Sequence, residues 1–266
     1  LVTSRTLFWL FSQSGKSAEV VSALDFDHIQ RPAALLAAVN DLESPLAIAS
    51  KAFQGASAYV PIHAEVEKTV STRTFTNTLA VGQLTALALL GREVEPARSA
   101  LIETANRMDS YLSNWEERIQ ELGRKLGFPK RLAVLGRGPS MASVYTGTLI
   151  LGEAAKFMAF PYQAGEFRHG PLELANPDLT VLLFPGPKET RELNRRLFEE
   201  LRGYQVNAFW LGDGTDECEL DVPDVPEIGR PCMEILPMQL LSIHLARQIG
   251  VEPGEFFRSG KITLSE

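Results

Sequence analysis

The chain has 266 residues, of which 45% are apolar and 22% are charged, a composition typical of a globular protein. Its formal net charge of −7 argues against a general role in nucleic-acid binding. Cys218 and Cys232 fit neither a disulfide framework nor a zinc site, so we expect reduced structural thiols in a cytoplasmic protein. No apolar run approaches the roughly 20 residues of a membrane span, and no signal peptide is visible.

The first part of the chain alternates apolar strands with helices. Residues 6–11 are continuously apolar, which predicts a strand buried on both faces of a parallel sheet. A helix is predicted from Lys16 to about Asp27, and further strands at 34–40 and near 57–62. Because the chain opens with Leu-Val-Thr and enters a strand almost at once, we expect that residues before it are missing.

Helices dominate the middle of the chain. Residues 71–91 are apolar and lack an interior proline, which predicts a mostly buried helix that ends at Gly91. Two more helices are predicted within 95–126, where apolar residues recur at helical spacing before Gly127.

The strand–loop–helix order then begins again with RLAVLGRG (131–138), a predicted strand and glycine loop. The later predicted elements are a helix at 140–157, strands at 158–162, 180–186 and 206–212, an amphipathic helix at 188–203, a short edge strand within 213–232 and a helix at 232–250. The same order of elements occurs twice, which predicts an α/β protein with two tandem doubly wound units. We place the units at 1–120 and 121–250, followed by a C-terminal tail at 251–266.

The segment SQSGKS (12–17) has the features of an anion site. Its serines lie where a parallel strand passes into a helix, and there backbone N–H groups and the helix dipole favour a phosphate. Gly15 allows close approach of the backbone, and serine hydroxyls add neutral donors. A nucleotide P-loop is excluded because Leu10 stands where its first glycine is required. Serines that merely cap the helix remain an equally open alternative.

Five stretches, in order, resemble the sugar isomerase (SIS) domain family. They are SQSGKSAEVVSAL (12–24), STRTFTNTL (71–79), LGRGPSMA (135–142), AGEFRHGPLEL (164–174) and RSGKITLSE (258–266). The resemblance is greatest to the isomerase half of glucosamine-6-phosphate synthase and to fructosamine-6-phosphate deglycases. It implies two tandem SIS units, each a parallel sheet flanked by helices in a flavodoxin-like or Rossmann-like three-layer sandwich.

The resemblance also implies a ligand and an assembly. The ligand would be a 6-phosphorylated sugar, with its phosphate on Ser12, Ser14 and Ser17 and with Gln13 nearby. A homodimer is expected, because the histidine of the family's H-G-P segment can come from the neighbouring subunit. Such chemistry needs no metal or organic cofactor, and the sequence shows no metal-binding cluster.

Three residues are candidates for the chemistry. His169, flanked by turn residues, would open the sugar ring, and Glu153 aligns with the family's proton-shuttling glutamate. Lys261 matches the tail lysine associated with the substrate carbonyl. Each has an ordinary alternative: a surface histidine, a solvated or ion-paired glutamate, and a solvated lysine. Glu166 and Arg168 are supporting residues, with Glu166 expected to orient its loop by hydrogen bonding.

The chain departs from the family at several positions. Lys16 replaces a usual glutamate and is expected to point to solvent, although it could add charge to the phosphate site. Thr146 and Ile150 stand where the synthase motif has a glutamate and a lysine, which argues against a strict glucosamine-6-phosphate synthase. An additional strand and glycine-serine loop that family members carry before the S-x-S-G strand is also missing.

Two functions from different classes therefore compete. The first is an enzyme that isomerises or deaminates a 6-phosphorylated amino sugar, or deglycates a fructosamine 6-phosphate. The second is a non-catalytic regulatory protein that binds a phosphosugar. The joint presence of Glu153, His169 and Lys261 favours the enzyme, whereas Ile150 favours the sensor. An α/β protein without a sugar ligand is the third, least specific hypothesis.

Overall fold

The structure, a computed structural model, describes residues 2–26, 30–212, 219–258 and 260–262. The chain divides into two compact units. Unit 1 comprises Leu1–Val94 and Phe256–Glu266, and unit 2 comprises Glu95–Glu255.

Unit 1 is built on a parallel sheet. Its elements are β1 (Leu7–Ser12), α1 (Ala18–Ser22), β2 (Ala34–Val39), α2 (Pro45–Ala52), β3 (Ala56–Pro61) and α3 (Arg73–Leu89). Within the described residues the strand order is β1-β2-β3, with Leu7 opposite Ala34 and Ala34 opposite Ala56. The three predicted strands of this region are thus confirmed, each within about a residue of its expected bounds.

Burial in unit 1 differs from the expectation. β1 was predicted to be buried on both faces, but Leu7 and Phe11 are 44% and 42% exposed. The prediction was wrong because β1 lies at an edge of the described sheet, whereas the central strand β2 is buried along most of its length. A continuous apolar run therefore identifies a strand but not its position in the sheet.

Both helices predicted in unit 1 need correction. The helix expected from Lys16 to about Asp27 is only Ala18–Ser22, because a tighter turn follows, with the Leu24 N–H donating to the Val21 carbonyl. The helix predicted at 71–91 exists as α3, but Thr74 alone among its described residues is buried. Apolar composition predicted the helix correctly and its burial wrongly, since composition does not say which surface covers a helix.

Unit 2 contains a larger parallel sheet. Its elements are α4 (Glu95–Leu112), α5 (Trp115–Leu126), β4 (Arg131–Gly136), α6 (Met141–Ala155), β5 (Ala159–Gln163), α7 (Ala164–Phe167), β6 (Leu179–Leu183), α8 (Arg191–Gly203), β7 (Asn207–Gly212), β8 (Glu219–Asp221) and α9 (Arg230–Gln248). In the described ranges the strand order is β5-β4-β6-β7-β8 and every pairing is parallel. This is the doubly wound order 2-1-3-4-5, as predicted.

The core of unit 2 forms where helices cover both faces of this sheet. β6 is buried at every position, and α6 packs against α9 on one face. The other face carries Leu197, Phe198 and Leu201 of the amphipathic helix α8, as the sequence pattern predicted. Cys232 is a buried thiol of α9 whose burial raises its pKa to about 11, whereas Cys218 lies outside the described residues.

The division between the units falls earlier than the predicted boundary at residue 120. α4 belongs to unit 2, where it packs against α9. Gly229 at the start of α9 lies so close to Thr104 of α4 that an added Cβ would meet the threonine hydroxyl at 1.9 Å. The predicted tail at 251–266 is shared between the units, because residues up to Glu255 belong to unit 2 and residues from Phe256 onward belong to unit 1.

Candidate functional site

The serine loop, residues 12–17, lies at the carboxyl end of β1, as predicted. The Ser12 hydroxyl accepts the Gly15 N–H at 3.0 Å, and the Ser14 hydroxyl accepts the Lys16 N–H at 3.2 Å. A serine hydroxyl that accepts a hydrogen bond keeps its own O–H as a donor. The loop can therefore present two ordered O–H groups to an anion.

Helix capping does not account for these serines. Ser17 occupies the N-cap position of α1, yet within the described residues its side chain makes no capping hydrogen bond. The hydroxyls of Ser12 and Ser14 bond within the loop and not to the first turn of α1. The contacts therefore favour the anion-site interpretation over the capping alternative.

Gly15 fixes the path of the serine loop. Its φ of +64° lies in the left-handed region, and an added Cβ would meet the Ser44 Oγ at 2.2 Å. Its carbonyl accepts the Leu46 N–H at 3.2 Å, while Ser44 caps α2 through the Ala47 N–H. The Gln13 carbonyl accepts the N–H of Asn40, so the loop is attached to both β2 and α2.

Lys16 is not free in solvent, and no described contact joins it to the serine hydroxyls. Its ammonium lies 2.7 Å from Asp41, and the two side chains are 46% and 37% exposed. The hydrogen bond from Lys16, followed by that from the Glu43 N–H, lowers the pKa of Asp41 below its ordinary value. The expectation of a solvent-facing lysine is therefore modified to that of a half-exposed ion pair.

Lys261 is held by oxygen atoms within unit 1. Its ammonium donates to the Thr69 carbonyl and to the Ser71 hydroxyl, the latter at 3.0 Å. It also lies 3.8 Å from the Glu67 carboxylate, and its side chain is only 19% exposed. The alternative of an ordinary solvated tail lysine is thus excluded.

Glu67 is a functional candidate that sequence reasoning missed. One carboxylate oxygen accepts the N–H groups of Thr72 and Arg73, at 2.9 and 2.7 Å, and caps the start of α3. Burial raises the pKa of Glu67, but the hydrogen bonds from Thr72 and Thr74 outweigh it and lower the pKa overall. Within the described residues the N-cap residue Thr72 does not cap this helix with its own side chain. A carboxylate a few residues before the STRTFT segment was therefore the signal that could have identified Glu67.

Glu153 lies on α6 in a half-buried position. Lys156 follows the last residue of α6. Its ammonium donates to two backbone carbonyls, those of Glu153 and Glu255. One turn earlier, Ile150 is 2% exposed and faces the core. The position where the synthase motif has a lysine is therefore part of the hydrophobic core here.

The AGEFRHG segment is anchored from inside and exposed at its tip. The Gln163 side chain accepts the N–H groups of Gly165 and Glu166, and Phe167 is completely buried. The side chain of His169 is exposed, and its backbone N–H donates to the Glu166 carbonyl at 2.8 Å. Arg168 pairs with Glu200 at 2.6 Å.

The role expected of Glu166 changes accordingly. Its exposed side chain was predicted to orient the loop, but the side chain of Gln163 and the backbone carbonyl of Glu166 make the orienting bonds. Exposure of His169 agrees both with a surface histidine and with a residue offered to a neighbouring subunit.

The predicted site residues thus fall into two groups. The serine loop and Lys261 belong to unit 1, whereas Glu153, Glu166, Arg168 and His169 belong to unit 2. In the part of the chain that the structure describes, no three His, Cys, Asp or Glu side chains form a group that could hold a metal ion. None of the described helices is both long enough and apolar enough to cross a membrane.

Comparison with known proteins identifies a domain family. The SIS domain profile matches residues 126–246, which lie within unit 2. A glutamine–fructose-6-phosphate aminotransferase (isomerizing) of Rhizobium meliloti is 30% identical over 259 residues, covering 91% of this chain and 41% of the relative. The chain therefore spans about two fifths of the length of the curated relatives that it matches.

Solved structures share the fold. The C-terminal domain of glucosamine-fructose-6-phosphate aminotransferase from Francisella tularensis is 21% identical with a TM-score of 0.74, over 94% of this chain and 72% of that one. Tagatose-6-phosphate ketose/aldose isomerase from Escherichia coli is 19% identical with a TM-score of 0.80, over 95% and 71%. The chain carries an SIS domain at residues 126–246 and is homologous to the isomerase domain of glutamine–fructose-6-phosphate aminotransferases.

Proposed function

We propose that the protein is an enzyme acting on a 6-phosphorylated sugar, as an isomerase or deaminase of an amino sugar or as a fructosamine deglycase. The serine loop is the observation that carries this proposal. Ser12 and Ser14 are ordered by backbone N–H groups and keep O–H donors for a phosphate. Gln13 and Ser17 complete the proposed phosphate contacts, and Gly15 is supporting. Relatives named as fructose-6-phosphate aminotransferases agree with this substrate class.

The chemistry is assigned to three side chains. His169 opens the sugar ring as an acid–base group, and Glu153 moves the proton between C1 and C2. Lys261 assists at the substrate carbonyl, because its ammonium has three N–H donors and uses two of them on Thr69 and Ser71. A lysine already ordered in this way can stabilise charge that develops on a carbonyl oxygen during proton transfer.

We also propose that the protein works as a homodimer. Along α3 residues 75–87 are only partly buried, and at the end of the helix Leu89 and the following Leu90 are 56% and 73% exposed. Contiguous exposed apolar surface is typical of subunit interfaces. A dimer would also use the exposed His169 if that residue served the neighbouring subunit. Light scattering at micromolar concentration tests this, and a monomer at all concentrations would contradict it.

A thermal-shift screen of sugar 6-phosphates tests the proposed function. Hexose, hexosamine and fructosamine 6-phosphates are compared with the same sugars without phosphate, since a ligand of the folded state raises the midpoint by mass action. The hits are then assayed for isomer formation and for release of ammonia or amine. The proposal expects a phosphate-dependent shift and turnover. It is contradicted if no sugar phosphate shifts the midpoint.

A phosphosugar-binding regulator is the second candidate. The buried Ile150, which replaces a motif lysine, and Thr146, which replaces a motif glutamate, favour it. The same screen separates the two functions. A regulator would show the phosphate-dependent shift without any turnover.

A further inference from the structure

A small cavity in unit 2 is unrelated to the serine loop. It has a volume of about 90 Å³ and lies beyond the carboxyl ends of β6, β7 and β8. One water molecule needs only roughly 10–15 Å³ of such space, so the cavity has room for a larger group. Its walls include Pro185, Trp210, Val222, Arg191, Arg230 and Glu234. In open parallel sheets this end of the strands is where ligands bind.

Three buried polar atoms of the lining residues have no hydrogen-bond partner among the described residues. They are the Nε atoms of Arg191 and Arg230 and the Oε2 atom of Glu234. The side chain of Arg230 is 10% exposed and Glu234 is 2% exposed, so both are removed from bulk water. Buried polar groups are nearly always paired, and leaving one unpaired costs stability. All three residues line the same cavity, which favours a polar partner bound there.

The backbone around the cavity favours an anion as that partner. Arg191 is the first residue of α8 and Arg230 the first residue of α9, helices of 13 and 19 residues. Within the described residues Thr190, the N-cap of α8, makes no side-chain capping hydrogen bond, and Gly229, the N-cap of α9, has no side chain to make one. A cation at a helix N-terminus is unfavourable, because that end already carries partial positive charge. A bound anion would compensate both the arginines and the two helix ends.

The nearby carboxylates do not supply the missing partner of the arginine Nε atoms. Asp224 accepts from the Arg230 Nη2 at 3.0 Å and lies 3.8 Å from Arg191, but its side chain is 72% exposed. Glu227 lies 4.0 Å from Arg230 and is 53% exposed. Both contact the outer nitrogens and leave each Nε without a partner. Burial raises the pKa of Glu234 to about 8, so its carboxyl is neutral at pH 7 and can donate an O–H.

A wider concavity adjoins the cavity and provides room for the rest of a ligand. It measures about 350 Å³ and shares Arg191, Asp224, Val225 and Arg230 with the cavity. It adds Lys188 and the ion pair of Arg107 with Glu103, whose charged atoms lie 2.8 Å apart. We propose that unit 2 binds the phosphate group of a small molecule between Arg191 and Arg230, at a site separate from the serine loop.

Phosphate binding at this site can be measured with Trp210. The chain has three tryptophans, so Trp9→Phe with Trp115→Phe leaves Trp210, which lines the cavity, as the single reporter. Ser12→Ala with Ser14→Ala is added to weaken phosphate binding at the serine loop. We expect inorganic phosphate, and not chloride at equal ionic strength, to change Trp210 fluorescence saturably. Glucose 6-phosphate in a second arm tests whether a phosphate ester is preferred to the free ion.

Matched arginine variants locate the effect. Arg191→Gln and Arg230→Gln are each expected to weaken phosphate binding at least about tenfold, since each removes a charge-assisted hydrogen bond. Arg196→Gln is the control, because Arg196 lies on the same helix α8, pairs with Glu192 and has a side chain 68% exposed. It should bind phosphate as the parent does.

Two results would overturn the proposal. One is fluorescence that does not respond to phosphate, and the other is an Arg191→Gln titration identical to that of Arg196→Gln. If the tryptophan variants do not fold, the thermal shift that phosphate induces in the Ser12→Ala, Ser14→Ala protein is measured instead and tests the same proposal. That shift should persist there and disappear on adding Arg191→Gln. Arg191→Gln and Arg196→Gln are compared on the same serine-loop background, so a difference between them is independent of the proposed sugar-phosphate function.

Discussion

The two units each place a loop after their first strand, and the two loops use their polar groups differently. In unit 1 the Ser12 and Ser14 hydroxyls accept backbone N–H groups and keep their own O–H donors. In unit 2 the Ser140 hydroxyl instead donates to the Oε1 atom of the buried Glu234 carboxyl group at 3.0 Å. Arg137 of the same loop donates to the Asn194 side chain at 2.7 Å.

This difference shows that the strand–loop–helix position alone does not make a binding site. The donors of the unit 1 loop are available to a ligand, whereas those of the unit 2 loop are used by neighbouring side chains. We therefore propose that the phosphate of the sugar substrate binds to the serine loop of unit 1, and we expect unit 2 to supply the proton-transferring carboxylate. The following changes test that division.

Glu153→Gln should have the largest effect. Removing the carboxylate removes the base for C1–C2 proton transfer, so turnover should fall by about 10²- to 10⁴-fold with little change in sugar-phosphate affinity. Steady-state kinetics and a binding titration measure the two quantities. Glu173→Gln, at an exposed position of the same unit, is the control and should retain activity. Unchanged turnover in Glu153→Gln would remove Glu153 from the mechanism.

The Glu234 carboxyl should make stability depend on pH. Burial raises its pKa to about 8 from an ordinary value of 4.5; hydrogen bonding to Ser140 and the charges of Arg230 and Arg191 oppose this, and Glu227 adds to it. Between these values the folded protein binds more protons than the unfolded chain. The free energy of unfolding should therefore fall as pH rises from 5 to 8, by up to roughly 1.4 kcal/mol per pH unit.

Urea unfolding at pH 5, 6.5 and 8 measures this dependence. Glu234→Gln keeps the shape and remains neutral in both states, so its stability should vary less over the same range. An equal dependence in the variant would show that another group is responsible.

Gly15→Ala should distort the serine loop. The added Cβ would clash with Ser44 at a φ of +64°, so we expect a loss of about 2–4 kcal/mol in the stability of the protein. Gly91 is the matched control, since its φ is +63° but no atom of the described residues lies within 4 Å of its added Cβ. Gly91→Ala should cost about 1 kcal/mol. Equal losses in denaturant unfolding would mean that contact with Ser44 is unimportant.

Alanine at the serines separates the two loops directly. Ser12→Ala with Ser14→Ala should weaken sugar-phosphate binding about tenfold, because two hydroxyl donors are lost. Ser140→Ala should leave that affinity unchanged, since its hydroxyl is used by Glu234, while lowering stability by about 1–3 kcal/mol. Calorimetric titration of both variants with one sugar phosphate makes the comparison, and a loss of affinity in Ser140→Ala would reverse our assignment.

Lys16→Ala should have the smallest effect. Lys16 forms a half-exposed pair with Asp41, and such pairs contribute about 0–1 kcal/mol. We expect less than about a threefold change in sugar-phosphate affinity. A larger loss in the same titration would show that this lysine contacts the phosphate after all.

Much of the fold could be predicted because parallel strands carry a strong local signal. Apolar runs such as LLAAV and LTVLL identified β2 and β6, and glycine-marked helix ends identified α5. Burial could not be predicted in the same way, since it depends on what lies next to an element. β1 and α3 are apolar in sequence but remain partly exposed in the chain.

The candidate site was predictable where a motif is continuous and not where contacts are remote. The serine loop was proposed from its position between a strand and a helix, and Lys261 from the resemblance of the tail to the SIS family. The partners of Lys261, among them Glu67, lie about 190 residues away in the sequence, so no local pattern links them. Likewise, nothing in the sequence near Glu234 indicates its hydrogen bond to Ser140 from another element.

The most direct test of the central claim is solvent deuterium exchange at the sugar carbons. The protein is incubated in D₂O with each 6-phosphorylated sugar that raises its midpoint, and C1 and C2 are followed by proton NMR. Our account predicts deuterium incorporation at C1 or C2 by the unmodified protein and none above background by Glu153→Gln. Sugar phosphates that bind but show no exchange at either carbon with the unmodified protein would contradict it.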